Sequence, residues 1–247
     1  MKKNNFEKVL IGLSGGIDSA LTATVAVDAL GSENVIGVAM PSKFNSKESL
    51  IDAKSLAENL KIEFKTIEIE TIVENFRTTL ADIINEDLGQ TTDENIQSRV
   101  RGNVLMALSN QTGAMVVSTG NKSEMAVGYS TLYGDLAGGF ALLKDLYKTE
   151  VYNLSNFRNT ISKVIPQNTI DKEPSAELRP NQFDKDSLPE YDLLDKILRL
   201  YIEEDSSSEK IISSGINENI VYDVLSKVDR NEYKRKQVAP GVKLTEK

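Results

Sequence analysis

Residues 9–23, VLIGLSGGIDSALTA, place an apolar run, three small residues and an acid ahead of a second apolar pattern. The first five residues are apolar, and two of them are β-branched, which favours a short buried strand. Leu21, Val25 and Ala29 recur every four residues, which predicts a helix that packs one face on that strand. The serine and two glycines between them can bring backbone N–H groups close to an anion at the positive end of the helix dipole. The stretch therefore predicts a phosphate-binding loop.

Asp18 follows this loop, in the first turn of the predicted helix. A carboxylate beside a phosphate generally needs a cation between them, and Mg²⁺ prefers oxygen ligands. The alternative is a glycine-rich turn in which Asp18 is only a favourable first-turn charge. The stretch lacks the lysine of a GxxxxGK[ST] loop and the spacing of GxGxxG, so it indicates neither a P-loop NTPase nor a GxGxxG dinucleotide fold.

The composition narrows the chemistry. The chain has 247 residues, enough for one α/β domain, and its net charge of −8 argues against a nucleic-acid partner, although a local basic patch occurs in YKRKQ. It has no cysteine and no histidine, which excludes thiolate nucleophiles, disulfides and imidazole acid–base catalysis. No apolar stretch approaches the ~20 residues of a membrane span, and the N-terminus lacks the apolar region of a signal peptide. We therefore expect a cytoplasmic protein without a membrane partner.

Strand-like and helix-like segments alternate through the first half of the chain. After the first strand and helix, the patterns predict strands at 35–40, 62–69 and 114–118 and helices at 46–60, 71–85 and 94–110. This alternation predicts an α/β fold, a doubly wound parallel sheet with flanking helices, in which ligands bind beyond the carboxyl ends of the strands. The serine–glycine loop lies at that edge.

The second half of the chain differs. Residues 166–190 contain four of the six prolines and many charges. The segment is too long for an ordinary connection, which predicts either a mobile substrate-covering loop or a disordered linker. From Tyr191 helical periodicity returns and predicts a helical C-terminal part, with Asn217 as the N-cap of a later helix.

A second group of polar residues follows the fourth predicted strand, in VSTGNKSEMAVGYSTLYGD, residues 117–135. Thr119 can offer its hydroxyl to a phosphate or to adenine. Glu124 can be a second Mg²⁺ ligand opposite Asp18. The alternative makes residues 121–124 an ordinary helix start with an acidic first turn.

Several blocks of the sequence carry a family resemblance. SGGIDS, residues 14–19, resembles the pyrophosphate loop of the N-type ATP pyrophosphatases, which cleave ATP to AMP and pyrophosphate. STGNKSE, GYSTLYGDLAGG, LYKTEVY, PSAELRPNQ and EYKRKQ follow in the order and spacing of NAD synthetase. The chain thus resembles that family over nearly its whole length, and most closely the synthetase domain of the glutamine-dependent form.

The resemblance implies one synthetase domain over residues 1–247, with a Rossmann-like fold of the adenine nucleotide alpha hydrolase type. It implies a ligase that amidates deamido-NAD to NAD through an adenylated intermediate. ATP is then the co-substrate, Mg²⁺ the metal and ammonia the nitrogen donor, and AMP and pyrophosphate are released.

The resemblance also assigns roles to residues. It implies that Asp18, Glu124 and Lys148 are catalytic, the first two as Mg²⁺ ligands. Tyr233 and Leu132 depart from the short ammonia-dependent enzymes, which carry histidine and lysine at these positions. The implied ATP-binding residues are Gly12, Leu13, Ser14, Gly15, Gly16, Ile17, Asp18, Ser19, Thr119, Lys148 and Ser175. The implied deamido-NAD-binding residues are Arg99, Tyr133, Asp135, Tyr233 and Lys234.

The same resemblance bears on partners. The glutaminase of the long enzymes uses a catalytic cysteine in a separate domain. The chain is therefore expected to be either a stand-alone ammonia-using enzyme or part of a larger protein with a glutaminase domain or subunit. Relatives of this kind are homodimers with the deamido-NAD site at the subunit interface.

The predicted helix at 94–110 gives a physical reason for a dimer. Its apolar residues occupy more than one face, so a second helical surface should cover part of them. Helices from the C-terminal part of the same chain are the alternative cover. Arg99 and Arg101 lie near its N-terminal end, where an anionic dinucleotide could bridge two chains. The predicted core-facing residues are Val100, Val104, Ala107 and Leu108, with Leu105 and Met106 beside them.

Two other interpretations stay open at this point. One is another SGGxDS enzyme, such as a GMP synthetase, an argininosuccinate synthetase or a tRNA-modifying enzyme. The missing cysteines argue against thiolation, and the acidic net charge argues against tRNA. The other is a non-catalytic nucleotide-binding domain, against which the presence of Asp18, Glu124 and Lys148 argues.

Overall fold

A central parallel sheet organises the structure. A computed structural model of the chain describes residues 5–84 and 88–246, except for the side chain of residue 82. In that part of the chain, five parallel strands lie in the order β3-β2-β1-β4-β5. The strands are β1 Val9–Gly12, β2 Val35–Ala39, β3 Glu63–Thr66, β4 Met115–Ser118 and β5 Phe140–Ala141. The doubly wound sheet is confirmed, and its switch point lies between β1 and β4, where such sheets bind ligands.

Helices connect the strands and form the C-terminal part. Their bounds in the described residues are α1 Ile17–Leu30, α2 Lys47–Leu60, α3 Glu70–Ile84, α4 Gln90–Thr112, α5 Lys122–Val127, α6 Lys148–Ile161, α7 Gln167–Asp171, α8 Tyr191–Leu198, α9 Ser208–Ser213, α10 Glu218–Arg230 and α11 Glu232–Arg235. α8 continues as a π-helical turn over Arg199–Glu203. The helices and strands predicted in the first half are confirmed to within a few residues, and residue 85 lies outside the described residues. The predicted N-cap Asn217 accepts a hydrogen bond from the Asn219 N–H.

The two faces of the sheet carry separate cores because side chains alternate along a strand. Val9 and Ile11 of β1 pack on one face with apolar residues of α1 and α2. Leu10 lies on the other face with apolar residues of α3 and α4. β1 is therefore covered on both sides, as its continuous apolar run indicates.

Helix α4 is longer than predicted, and its buried stripe includes Leu105 but not Ala107. Val100, Val104 and Leu108 pack into the core beneath it, which follows an i, i+4 row. Ala107 lies to one side of that row and is exposed, so its prediction as a core residue is wrong. α4 packs on β1, β4 and α3, whereas the C-terminal helices bury their apolar residues around α5.

The segment at 166–190 is packed against the carboxyl edge of the sheet. It contains α7 and a 3-10 turn at Asp184–Asp186. The Glu177 carboxylate accepts hydrogen bonds from Ser46 and Ser49 at the start of α2, at 3.0 and 2.6 Å. The prediction of a disordered linker is therefore wrong, since these bonds hold the segment in place. Its substrate-covering role stays a prediction.

The C-terminal segment lies beside the last strand. The Ala141 N–H donates to the Pro240 carbonyl at 2.9 Å. Further on, the Asp145 carboxylate accepts from the backbone N–H groups of Leu244 and Thr245, and from Lys122 Nζ at 2.8 Å. Across the described ranges, no helix has the length and hydropathy to cross a membrane.

Candidate active site

A deep cavity opens at the switch point of the sheet. Its volume is about 490 Å³, and its walls come from the loops after β1 and β4, from α4 and from the segment at 172–184. Gly12, Ser14 and Ser19 line it on one side and Thr119 and Gly120 on the other. The prediction that the polar residues after the first and fourth strands lie at the same edge of the sheet is therefore correct.

The loop after β1 has the backbone of an anion cradle. Gly15 has φ +82°, in the left-handed region that favours glycine, and a Cβ there would lie 2.2 Å from the Ser49 carbonyl oxygen. Gly16 is the N-cap of α1, and its N–H donates to Ser14 Oγ at 3.1 Å. Ser19 Oγ donates to the Gly16 carbonyl at 2.9 Å. The two hydroxyls thus brace the loop at a helix N-terminus, a position at which proteins commonly bind anions.

Lys148 lies between the two acids predicted as metal ligands. Its Nζ is 2.5 Å from Asp18 Oδ2 and 2.9 Å from Glu124 Oε1, and the lysine is only 3% exposed. Burial alone would lower the lysine pKa, but the two carboxylates outweigh it and raise the pKa well above its ordinary value. Burial and the nearby charges of Asp18 and Asp184 raise the pKa of Glu124.

The local sequence positions the two acids. Asp18 is in the first turn of α1, and its Oδ1 accepts from Asn121 Nδ2 at 2.8 Å. Asn121 also caps α5, since its side chain accepts from the Glu124 N–H at 3.0 Å. One asparagine therefore joins the two helices that carry Asp18 and Glu124. The capped helix start that was the alternative interpretation of residues 121–124 is present, and it also positions Glu124 in the site.

Asp184 and Tyr191 extend the cluster and were not predicted. Tyr191 Oη donates to Asp184 Oδ2 at 2.7 Å, and its ring centre lies 5.2 Å from Lys148 Nζ. Asp184 Oδ1 is buried without a hydrogen-bond partner in the described structure. Burial raises the pKa of Asp184. Both residues belong to the block DKDSLPEYD, whose acids and tyrosine are the signal that could have indicated them.

The donor set at this point fits Mg²⁺ shared with phosphates. Asp18 and Glu124 offer hard oxygen ligands beside the serine–glycine loop, although one oxygen of each carboxylate pairs with Lys148 Nζ, and Mg²⁺ is commonly held by one or two carboxylates plus phosphate oxygens. The described residues contain no cluster of three or more acids with the geometry of a protein-only metal site.

Thr119 and Ser175, the other two predicted ATP-binding residues, differ in their hydrogen bonds within the protein. Thr119 lines the cavity and is half-buried. Ser175 also lines it, but its Oγ donates to the Gln182 carbonyl at 2.5 Å and accepts from the Glu177 N–H. Ser175 thereby shapes the loop beside the cavity.

The predicted deamido-NAD residues separate into two groups. Asp135 and Lys234 line the cavity, and Lys234 Nζ donates to the carbonyls of Gly128 and Ser130 at 2.7 and 2.8 Å. Burial raises the pKa of Asp135 and lowers that of Lys234.

The second group lies outside the cavity lining. Arg99 is exposed on α4, and its Nε donates to the Leu132 carbonyl at 3.2 Å. Tyr133 and Tyr233 are 66% and 56% exposed. Within one chain, the structure does not bring these three together with the phosphate loop.

Arg101 is the arginine of α4 that faces the cavity. Its guanidinium donates to the Met40 carbonyl at 3.0 Å and to Asn45 Oδ1 at 3.0 Å. Burial lowers its pKa to about 10, partly offset by Glu177 and Glu70. Arg99 and Arg101 are two residues apart in the sequence, so they lie on different faces of α4. Which of the two faces the cavity depends on how the helix is rotated about its axis, and the sequence pattern does not show this.

The fold and the site define an α/β protein with a serine–glycine loop and an acid–lysine cluster at its switch point. The chain belongs to the NAD synthase family, whose model matches residues 1–238. It is 55% identical over 245 residues to the glutamine-dependent NAD(+) synthetase of Aquifex aeolicus, and 53% identical over 247 residues to that of Thermotoga maritima. Each comparison covers 99% of this chain but 43% of the relative, so the chain spans less than half the length of these relatives.

Shorter proteins match along most of their own length. The ammonia-dependent NAD synthetase structure from Campylobacter jejuni has a TM-score of 0.76 at 31% identity, covering 94% of this chain and 88% of the other. The NMN synthetase structure from Francisella tularensis has a TM-score of 0.81 at 29% identity, covering 99% and 91%. The family resemblance and the fold are confirmed.

Proposed function

We propose that the chain catalyses the ATP-dependent amidation of deamido-NAD to NAD, with ammonia as nitrogen donor. The observation that carries the proposal is the placement of Lys148 between Asp18 and Glu124, at the open end of the SGGIDS loop. The cluster puts one cation and two potential metal ligands where the triphosphate of ATP would lie. The family to which the chain belongs supports the choice of substrate.

The proposed reaction has two steps. The nicotinate carboxylate attacks the α-phosphorus of ATP, which forms an acyl adenylate and releases pyrophosphate. Ammonia then attacks the acyl carbon, the bond to AMP breaks, and one proton is lost as the amide forms. The carboxylate nucleophile is already ionised at neutral pH, so no side-chain base is needed for the first step.

The residues of the chain would mainly neutralise charge. The backbone N–H groups at the start of α1 would bind the pyrophosphate portion, and Lys148 would stabilise the negative charge on the reacting phosphate. Asp18 and Glu124 would hold Mg²⁺ with the phosphate oxygens. When bound, that ion would supply further neutralisation of the leaving pyrophosphate. Thr119 and Ser175 would complete the ATP side of the cavity.

The deamido-NAD end of the site would require a second chain. Asp135 and Lys234 line the cavity, but Arg99, Tyr133 and Tyr233 are exposed outside its lining. A homodimer through α4 would bring such residues to a shared substrate site. We further propose that the protein acts in the cytoplasm, with a glutaminase domain or subunit as the source of ammonia.

A second candidate substrate is nicotinate mononucleotide, which carries the same carboxylate on half of a dinucleotide. The similarity to the F. tularensis NMN synthetase structure over 99% of this chain favours testing it. Amidation of this substrate would use the same two steps at the phosphate loop. The difference would lie at the Asp135 and Lys234 end, where the second nucleotide of deamido-NAD would bind.

The test is a steady-state assay of the purified chain with ATP, Mg²⁺ and ammonium, with deamido-NAD and nicotinate mononucleotide supplied separately. We expect NAD, AMP and pyrophosphate from deamido-NAD, in equal amounts. With ¹⁸O in the substrate carboxylate, one labelled oxygen should appear in AMP, because that oxygen bridges to phosphorus in the adenylate. A preference for the mononucleotide would favour the second candidate. If the chain binds ATP but releases no pyrophosphate with either substrate, the result would favour a non-catalytic nucleotide-binding domain.

A further inference from the structure

Asp195, in the C-terminal helical part, makes three hydrogen bonds to the residues beside the acid–lysine cluster. It lies on α8, is 2% exposed, and does not line the main cavity. Its Oδ2 accepts from the Thr149 N–H at 2.9 Å and from Thr149 Oγ1 at 2.8 Å. Its Oδ1 accepts a short hydrogen bond from Ser123 Oγ.

These bonds complete the first turn of α6. The first N–H groups of a helix have no partner within the helix and need acceptors from elsewhere. In α6 the N-cap Tyr147 makes no side-chain capping bond, so the Lys148 N–H donates to Ser123 Oγ at 2.8 Å and the Thr149 N–H donates to Asp195. The Asp195 carboxylate on α8 thus caps the N-terminus of α6, the helix that begins with Lys148.

The Asp195 carboxylate also contacts α5, the helix that carries Glu124. Ser123 precedes Glu124 in the first turn of α5, and its hydroxyl joins Asp195 to the Lys148 backbone. The side chains of the same two residues, Lys148 and Glu124, form an ion pair at 2.9 Å. One buried residue therefore sets the relative position of two helix starts.

We propose that Asp195 is a positioning residue for the proposed amidation, acting through Ser123 and Thr149 to hold Lys148 against Asp18 and Glu124. The inference rests on the proposed function. An aspartate suits this role because three donors converge on it and a carboxylate has only acceptors. Asparagine has nearly the same shape, but its N–H₂ group cannot accept a hydrogen bond, so one of the bonds from Ser123 or Thr149 would be lost or reversed in direction. The variant Asp195→Asn would thus break part of the network while preserving the packing of α8.

The first experiment compares Asp195→Asn with wild type in the ammonium-dependent assay. Because small displacements of a reacting group are costly, we expect kcat to fall about ten- to a hundredfold, with the KM for ATP changed less than about twofold. Asp192→Asn is the matched control, since Asp192 is exposed one turn earlier on the same helix. The control should retain wild-type kcat.

A double-variant cycle separates positioning from general loss of structure. If Asp195 acts through Lys148, then Asp195→Asn should lower kcat less than about twofold in a Lys148→Ala background, because coupled effects are not additive. An equal fold-loss in both backgrounds would overturn the proposal. If Asp195→Asn fails to fold, Thr149→Val replaces it as a milder variant, and Thr149→Ser should restore the activity that Thr149→Val loses.

A crystal structure of Asp195→Asn gives a readout that does not depend on turnover. We expect Lys148 Nζ to lose hydrogen-bond contact with Asp18 or Glu124 while α8 keeps its position. An unmoved Lys148 would overturn the proposal even if the chain amidates neither substrate. Absence of amidation by the wild-type chain would instead count against the proposed function, so the two failures can be told apart.

Discussion

Lys148 Nζ lies 2.5 Å from Asp18 Oδ2, although the two residues are 130 positions apart in the chain. Asp18 stands at the start of the first helix of the sheet, and Lys148 begins α6, beyond the last strand. The pair therefore joins the helix that follows the central strand β1 to the helix that follows the edge strand β5. The cavity chemistry depends on this long-range contact.

The two carboxylates that contact Lys148 are the first to test. We predict that Asp18→Asn and Glu124→Gln each remove most turnover at saturating Mg²⁺, about a hundredfold or more, because each would lose a metal ligand. Both variants should keep the wild-type circular dichroism spectrum. The measurement is kcat in the ammonium-dependent assay.

Asp28→Asn is the control for this prediction. Asp28 lies on the same helix as Asp18 but pairs with Arg158 near the surface, at 2.6 Å. Its replacement should leave kcat unchanged. If Asp18→Asn or Glu124→Gln costs only a few-fold, that residue has the capping role alone.

Asp145 should make stability depend on pH. Burial would raise its pKa, but hydrogen bonds from Lys122, Thr245 and Leu244 outweigh burial and hold the pKa well below its ordinary value. A depressed pKa stabilises the fold above the ordinary aspartate value of about 4, and this contribution is lost as pH falls further. Asp145→Asn should therefore lower the free energy of unfolding by about 2 to 3 kcal/mol at pH 7, with a difference that shrinks below about pH 4.

Chemical denaturation at several pH values measures this effect. Glu58→Gln is the control, since its ion pair with Lys54 is 67% exposed on both sides and should be worth less than about 0.5 kcal/mol. A constant difference between wild type and Asp145→Asn from pH 7 to pH 3 would contradict the prediction.

The nitrogen donor should be ammonia. The chain has no cysteine, so it has no thiolate to attack the amide of glutamine. We predict amide formation with ammonium and none with glutamine as the sole donor. Removing traces of ammonia enzymatically from the glutamine reaction is the essential control, and glutamine-supported product after that treatment would refute the prediction.

Helix α4 should form a subunit interface. Met106 is 40% exposed there, and Arg99 lies nearer the start of the same helix. Sedimentation equilibrium at micromolar concentration should give twice the 27.3 kDa chain mass. Met106→Lys should give monomers that use deamido-NAD poorly and still bind ATP, because the phosphate loop lies within one chain.

Ile51→Lys is the control for that variant. Ile51 is 61% exposed on α2, away from α4 in the fold, so a lysine there should leave the dimer intact. A wild-type chain that is fully active as a monomer would refute both the interface and the shared site.

The sequence predicted what depends on local pattern. The strand, turn and helix around SGGIDS follow from apolar periodicity and from glycine in a short span, so β1, α1 and the turn between them were predicted correctly, and anion binding by that turn stays a prediction. Strand β5 was missed because Phe140–Ala141 is too short to show alternation. Ala107 was misplaced because 3.6 residues per turn allow either of two neighbouring rows to face the core.

The tertiary contacts of the site could not be predicted from apolar periodicity or from motifs, because they join residues that are far apart in the sequence. Lys148 was assigned to ATP from its motif, but its ion pairs with Asp18 and Glu124 join residues distant in the chain. Helical periodicity from Tyr191 onward gives Asp195 no role beyond that of a polar position on α8. Its role as a cap for another helix exists only once α5, α6 and α8 pack together.

The order of the strands also bears on solubility, because the outer strands of an open sheet can pair with other molecules and start aggregation. On one side, β3 carries the charged pair Lys65 and Glu63, whose side chains meet at 2.6 Å. On the other side, β5 is met by Pro240, which accepts from the Ala141 N–H and has no N–H of its own to offer a further strand. Charge at one edge and proline at the other make the sheet a poor template for edge-to-edge association.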